Sequence, residues 1–218
     1  MTAGGGRAVE VEPERLAGWF ERFGARHGGI AETELTEELV RVTAGDGAEA
    51  SIEVPFGPLE VTDLAGFVDH VLRPRRIALL LVRLGGHSLG VAEGERVVLS
   101  RTDRKPVHGR NSAGGWSQQR FARRREGQVR QALQAAARDA FEVLVPVLST
   151  VDAVVLGGDQ RALEILRSDR RLGKIFERAQ ARVLEVGEPR RSILDEAAKR
   201  ARSVEIVIRE SSGSPESR

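Results

Sequence analysis

The sequence predicts an α/β (α+β) fold: a mixed β-sheet with flanking helices, plus a small N-terminal α/β unit. Three observations carry this. An apolar, β-rich run at Ile77–Leu84 opens a three-strand meander, with turn signals at Gly85-Gly86 and Glu93-Gly94. From Gln118 to Val145 apolar residues recur at three- and four-residue steps, the signature of a long helix. Beyond residue 150 short strands alternate with helices, as in a layered sheet with mixed strand directions.

The elements follow in order. Residues 1–12 are glycine-rich and then acidic, and read as a flexible leader. Leu16, Trp19, Phe20 and Phe23 have helical spacing, with Gly24 as a stop. Leu35, Leu39, Val40 and Val42 suggest a second short helix over 32–43. Ser51–Phe56 alternates and reads as a strand, and Leu64–Leu72 as a helix ended by Pro74. Residues 13–74 are therefore expected to form the N-terminal α/β unit, and 75–209 a second domain. In that domain Ile77–Leu84, Ser88–Ala92 and Arg96–Ser100 are strands, followed by a polar loop and the long helix. Val151–Leu156 is a strand, and Asp159 can cap a helix over Gln160–Arg167. Lys174–Ala181 is helical or irregular, Arg182–Val186 a strand, Ser192–Ala201 a helix and Val204–Arg209 a last strand. The Ser/Pro/Gly-rich tail 210–218 reads as disordered.

Composition narrows the functional classes. With 218 residues, 40% apolar and 30% charged, the chain can bury a core without disulfides or metals. It contains no cysteine, which excludes a disulfide framework, a cysteine nucleophile and thiolate zinc sites, and fits a reducing compartment. No run approaches the length of a membrane span, and the N-terminus lacks the basic-then-apolar order of a signal peptide. A cytoplasmic protein with no membrane association is expected. His27, His70, His87 and His108 are scattered, so neither a metal nor another cofactor is anticipated.

The net charge of +2 conceals an uneven distribution. Arg101–Arg130 carries nine basic and two acidic side chains, a net of +7 in thirty residues, so the other 188 residues sum to −5. Such asymmetry suits a polyanion-facing surface, although a solvated basic helix face has the same composition. Gly109–Gly115 combines three glycines with Asn111 and Ser112, and leads into a helix beginning near Ser117 whose free N–H groups attract anions. Gln118 and Gln119 follow. A glutamine cannot act as a base near neutral pH, but it can orient water or a hydroxyl through its carbonyl and NH₂. Two glutamines at a helix start also serve simply as helix formers.

The run His108-Gly109-Arg110, then Gly114-Gly115, then Arg120-Phe121-Ala122-Arg123 with Arg125 resembles the core motif of the central domain of eukaryotic and archaeal class-one translation termination factors. In that family a His-Gly-Arg-Gly-Gly-Gln loop precedes a helix beginning near Arg-Phe-Ala-Arg. The likeness extends from about Ile77 to Ile208. Two departures stand out: Asn111-Ser112-Ala113 is inserted, and Trp116 occupies the slot where a gapless match wants glutamine. Gly115-Trp116-Ser117-Gln118 instead fits the Gly-x-x-Gln form of the Vms-like branch, and the sequence is most similar to the actinobacterial Vms-like (VLRF) release factors.

That resemblance implies a release-factor central-domain-like sheet and an enzyme, a peptidyl-tRNA hydrolase used in ribosome rescue and ribosome-associated quality control. It implies peptidyl-tRNA as substrate and the ribosome, through its large subunit and rRNA, as partner. Gln118 is the implied catalytic residue, with Gln119 in reserve. His108, Gly109, Arg110, Gly114, Gly115, Trp116, Ser117, Arg120, Arg123 and Arg124 are the implied substrate-binding residues. His108 reads as a hydrogen-bonding group at the loop base rather than a catalyst, and Trp116 as stacking on a base or folding back on the stem. Gly157-Gly158-Asp159 lacks the spacing of a dinucleotide loop and reads as a strand-to-helix turn. Cleavage of the tRNA near its 3′ end, a non-catalytic RNA-binding module and an unrelated α/β domain are the competing functions. No decoding domain is apparent, so stop-codon specificity is not expected, and the oligomeric state is open.

Overall fold

A computed structural model describes residues 6–104 and 116–210, with side chains at 6–103 and 124–210. The chain divides into two compact units: residues 1–73 with 202–218, and residues 74–201. The second is therefore inserted into the first.

The first unit is a five-stranded antiparallel sheet covered by two helices. Strand β1 (Arg7–Val11) leads through a 3-10 turn at Pro13–Arg15 into helix α1 (Leu16–Arg26). Strands β2 (Ile30–Leu35), β3 (Leu39–Ala44) and β4 (Glu49–Glu53) follow, then helix α2 (Leu64–Leu72). Asp63 caps α2, its side chain accepting a 2.7 Å hydrogen bond from the Gly66 N–H. The sheet order is β1-β10-β4-β3-β2, where β10 (Val204–Arg209) is the last strand of the chain. Leu16, Phe20 and Phe23 of α1 and Phe67 and Val71 of α2 pack on Val40, Val42, Ala50, Ile52, Val204 and Ile206.

Four sequence expectations change here. The supposed leader contains β1, whose Arg7–Val11 pairs residue by residue with Ile208–Val204. The supposed helix over 32–43 is a β2–β3 hairpin. Its hydrophobic spacing fits a helix, but Val40, Val42 and Ala44 also alternate with half-buried neighbours, and the two β-branched valines favour the pleat. The hairpin turns at Thr36, whose hydroxyl accepts from the Leu39 N–H at 2.9 Å. Helix α1 passes Gly24 and stops only where Gly28 (φ 77°) and Gly29 (φ 93°) take left-handed conformations. Finally, Val204–Arg209 was expected within a domain 75–209, but its hydrogen bonds run to β1 and β4 of the first unit.

The second unit is a mixed sheet ordered β7-β6-β5-β8-β9. Strands β5 (Arg76–Arg83), β6 (Gly86–Glu93) and β7 (Arg96–Arg104) form the antiparallel meander. Helix α3 (Trp116–Val143) follows, then a 3-10 stretch over Val145–Thr150. Strand β8 (Ala153–Gly158) pairs parallel to β5, and β9 (Ala179–Leu184) parallel to β8. Between them lie α4 (Gln160–Arg167) and α5 (Gly173–Glu177), and α6 (Arg191–Arg200) closes the unit. The central strand β5 is buried along nearly its whole length, as a strand covered on both faces must be. Ala78, Leu80 and Val82 face α3 and α4, whereas Gly90, opposite Leu79, admits Leu194 of α6 on the other face. Gly157-Gly158-Asp159 is the expected strand-to-helix turn. Gly158 sits at φ 108° against the Val82 backbone, and Asp159 caps α4 through the Ala162 N–H at 3.2 Å.

No helix among the described residues is long and apolar enough to cross a membrane. Because β10 is an interior strand of the first sheet, Ile206→Ala should cost about 2–4 kcal/mol in urea unfolding. Amide exchange should quicken in β1 and β4 together. Retained protection in both strands would show that β10 does not hold them.

Candidate functional site

The site is built on the β7–α3 stem. Register fixes which side chains of the meander can meet α3. Val82, His87 and Asp103 stand opposite one another, as do Leu80, Leu89 and Arg101. Directly opposed residues share a sheet face, so His87, Asp103 and Arg101 lie on the face that Leu80 and Val82 present to the helix. Ser88 and Thr102 lie on the reverse face, where their hydroxyls bond at 2.7 Å. Arg191 of α6 bonds Ser100 Oγ at 2.7 Å on that same reverse side.

Helix α3 presents Leu133, Ala136, Ala137, Ala140 and the adjoining Leu144 to this face. One carboxylate interrupts the apolar row. Asp139 is 6% exposed and accepts a hydrogen bond at 2.9 Å from Nε2 of His87, itself 1% exposed. Its other oxygen lies 3.3 Å from Arg101 Nη1, which also reaches Glu142 Oε2 at 2.7 Å. Burial alone would raise the Asp139 carboxyl. The His87 hydrogen bond and charge, and then Arg101, outweigh it and hold that carboxyl below the usual carboxylate range.

These contacts also set direction. His87, level with Asp103, meets residue 139, and Arg101, two residues earlier on β7, meets 139 and 142. Helix α3 therefore runs antiparallel to β7. From Arg101 to the end of β7 is about 10 Å. The same rise along the helix leads from Asp139 back to Ala132, where its burial begins. Val129 already packs on that core, so residues 116–128 span about 20 Å of helix ahead of it. Arg124 and Arg125 are exposed on that stretch, with Glu126 beside them, and Arg130 is exposed just past Val129.

Of the residues singled out from sequence, His108, Gly109, Arg110, Gly114 and Gly115 lie outside the described residues. Trp116, Ser117, Gln118, Gln119, Arg120 and Arg123 fall in the first turns of α3, and their backbone is helical. The helix starts at Trp116, one residue before the expected Ser117. Arg101 was counted with the polyanion-facing charge, but it is bound to Asp139 and Glu142 and belongs to the internal fastening of the stem. His87 and Asp139 were not singled out from sequence. The available signal was a lone carboxylate inside an apolar helical row, which demands a buried partner. Among the described residues no group of His, Asp and Glu could hold a metal ion.

The sequence model of the Actinobacteria/chloroflexi VLRF1 release factor family matches residues 75–207 of this chain, well over half of it. The chain belongs to that release factor family. Membership places the protein among release factors of the VLRF1 type. Among solved structures the chain is similar to an archaeal translation termination factor, aRF1, at a TM-score of 0.45 and 14% identity, covering 89% of this chain and 63% of that one. A second, described as an archaeal protein, gives a TM-score of 0.42 and 16% identity, covering 72% and 48%. The chain spans less than two thirds of either structure. No curated protein matches it.

Asp139 offers a direct test of the stem. Asp139→Ala leaves the buried His87 ring without its acceptor and should cost about 1–3 kcal/mol at neutral pH. Asp139→Asn, which keeps an oxygen, should cost less. Because folding lowers this carboxyl's pKa, its contribution is complete above the unfolded value of about 3.9 and drains away as pH falls through the folded value. The stability difference between wild type and Asp139→Asn should therefore shrink below about pH 4. Denaturant unfolding across this range checks both points, and equal stability of wild type and Asp139→Ala would refute the anchoring role.

Proposed function

We propose that this VLRF1 family member releases nascent peptide from peptidyl-tRNA on stalled ribosomes without reading a codon, with Gln118 as the catalytic side chain. The family match over residues 75–207 carries the proposal. The anchored helix supports it, because about 20 Å of helix precedes the first core contact at Val129, a length suited to carrying a tip into a phosphate-lined cavity. The exposed Arg124, Arg125 and Arg130 supply charge for the rRNA or tRNA backbone that such a cavity presents.

In this reading water attacks the ester carbonyl joining peptide to terminal ribose. The C–O bond to the ribose breaks, the ribose hydroxyl leaves and recovers a proton, and the peptide departs as a carboxylic acid. Gln118 orients the water or the neighbouring ribose hydroxyl, and Gln119 is the reserve for that role. Backbone N–H groups near the loop stabilise the developing oxyanion. His108, Gly109, Arg110, Gly114, Gly115, Trp116 and Ser117 shape the tip around the tRNA end, and Arg120, Arg123 and Arg124 hold the stem on phosphate. The chemistry requires no cofactor, and the setting is the cytoplasm.

Gln118→Ala should slow peptide release from purified ribosome–peptidyl-tRNA complexes by about a hundredfold or more, the scale seen when a transition-state hydrogen bond is removed. Gln119→Ala should act weakly. Equal rates for wild type and both variants would refute the enzymatic reading. Sequencing the tRNA 3′ end after reaction decides between ester hydrolysis, which leaves it intact, and cleavage of the tRNA. Charge reversal at Arg123 and Arg124 should weaken sedimentation with large subunits and flatten its salt dependence, since each lost phosphate contact lowers the slope by roughly one. Unchanged pelleting would mean that the stem does not face RNA.

A further inference from the structure

The first unit carries a cluster of side chains that the release reaction does not use. Helix α1 places Trp19, Phe23 and His27 four residues apart, and their rings form a column. Trp19 and Phe23 stack at 5.2 Å with planes 10° apart, and His27 follows 4.8 Å from Phe23. Asp46 holds the far end, its Oδ2 lying 2.8 Å from His27 Nδ1. A parallel row on the same helix carries Arg22 and Arg26, whose spacing sets them side by side. Across from them are Arg7 of edge strand β1 and Ile208, its register partner on β10. Together with Glu210 these residues line an open cleft of about 520 Å³.

The electrostatics of this cleft run against those of its unit. Residues 1–73 and 202–218 carry nine arginines and seventeen acidic side chains, a net of −8. Two arginines of the unit are paired with carboxylates, Arg41 with Glu34 at 2.9 Å and Arg202 with Glu14 at 2.7 Å. Arg7, Arg22 and Arg26 are exposed and make no ion pair among the described residues. Three exposed guanidinium groups and a single carboxylate, Glu210, thus line a cleft walled by the aromatic column, a donor-rich lining that favours an anionic ligand. Guanidinium forks match phosphate oxygens, and a half-buried indole offers a face for a planar ring. The volume suits a small ligand, and the surrounding negative charge disfavours a duplex lying across the surface.

We propose that this cleft binds a nucleotide, its base against Trp19 and its phosphate between Arg22 and Arg26. The nucleotide is either free or an unpaired residue of RNA. The inference is independent of peptide release, and Gln118→Ala leaves it untouched.

The full chain carries two tryptophans, so Trp116→Phe leaves Trp19 as the sole reporter. In that background AMP or a short oligoadenylate should quench Trp19 fluorescence saturably. Arg22→Ala with Arg26→Ala, both at exposed positions, should weaken binding at least about tenfold. Saturation by both ligands identifies a free-nucleotide site, and saturation by oligoadenylate alone an RNA contact; either supports the proposal. It is overturned if neither ligand saturates at millimolar concentration, if the double substitution leaves affinity unchanged, or if an oligoglutamate peptide competes as well as AMP.

Discussion

The hydrogen bond between His87 and Asp139 is the constraint on which the reach of the stem depends. The helix face against the sheet is rich in alanine, and small side chains make shallow ridges that resist sliding weakly. A slip of one helical turn would move the tip by about 5 Å. A buried imidazole facing a buried carboxylate makes such slippage expensive, because displaced partners would be left unsatisfied in an apolar setting. Arg101 adds a second point one turn further along through Glu142, at the surface where screening makes it weaker. Only the C-terminal half of the helix is held this way, and holding it suffices to aim the other half.

This division of the helix also separates two uses of arginine. Arg101 is spent internally, whereas Arg124 and Arg125 are exposed ahead of the first core contact at Val129 and Arg130 is exposed just past it. The same separation holds for the whole chain. The inserted unit, residues 74–201, carries twenty-five basic and fifteen acidic side chains, a net of +10, against −8 for the unit around it. The overall +2 is the residue of two opposed fields. The excess of positive charge falls in one unit, and the arginine cleft beside Trp19 is a local exception within the other.

What could be read from sequence follows the range of the interactions involved. The meander, the long helix and the capped turn at Asp159 rest on local alternation, helical spacing and side-chain-to-backbone bonds, and all were legible. The loop motif was legible as a resemblance, because its residue order is distinctive even though its chemistry depends on what it touches. The β2–β3 hairpin was misread because Leu35, Leu39 and Val42 satisfy helical spacing, while the deciding facts were the turn at Thr36 and the alternation of β3. β1 and the partners of β10 were not legible at all. A strand's pattern shows which side is buried, not which strand lies beside it.

The placement of β10 has a consequence for how the protein forms. Val11 pairs with Val204, so the first sheet needs residues separated by the whole inserted unit. During synthesis every strand of the inserted sheet is available before β10 emerges, and its pairings span far shorter stretches of chain. The first sheet by contrast must keep β1 and β4 apart by one strand's width until β10 arrives to bond both. Until then those two edges are unpaired, and exposed edges are open to wrong partners. Carboxylates on these edges, Glu49 and Glu53 on β4 among them, oppose pairing with another acidic strand, whereas in the native register Glu49 stands opposite Arg209. The acidity of this unit is thus consistent with a sheet that has to wait for its interior strand, and the arginine-lined cleft is assembled only when β10 brings Ile208 and Glu210 alongside Arg7.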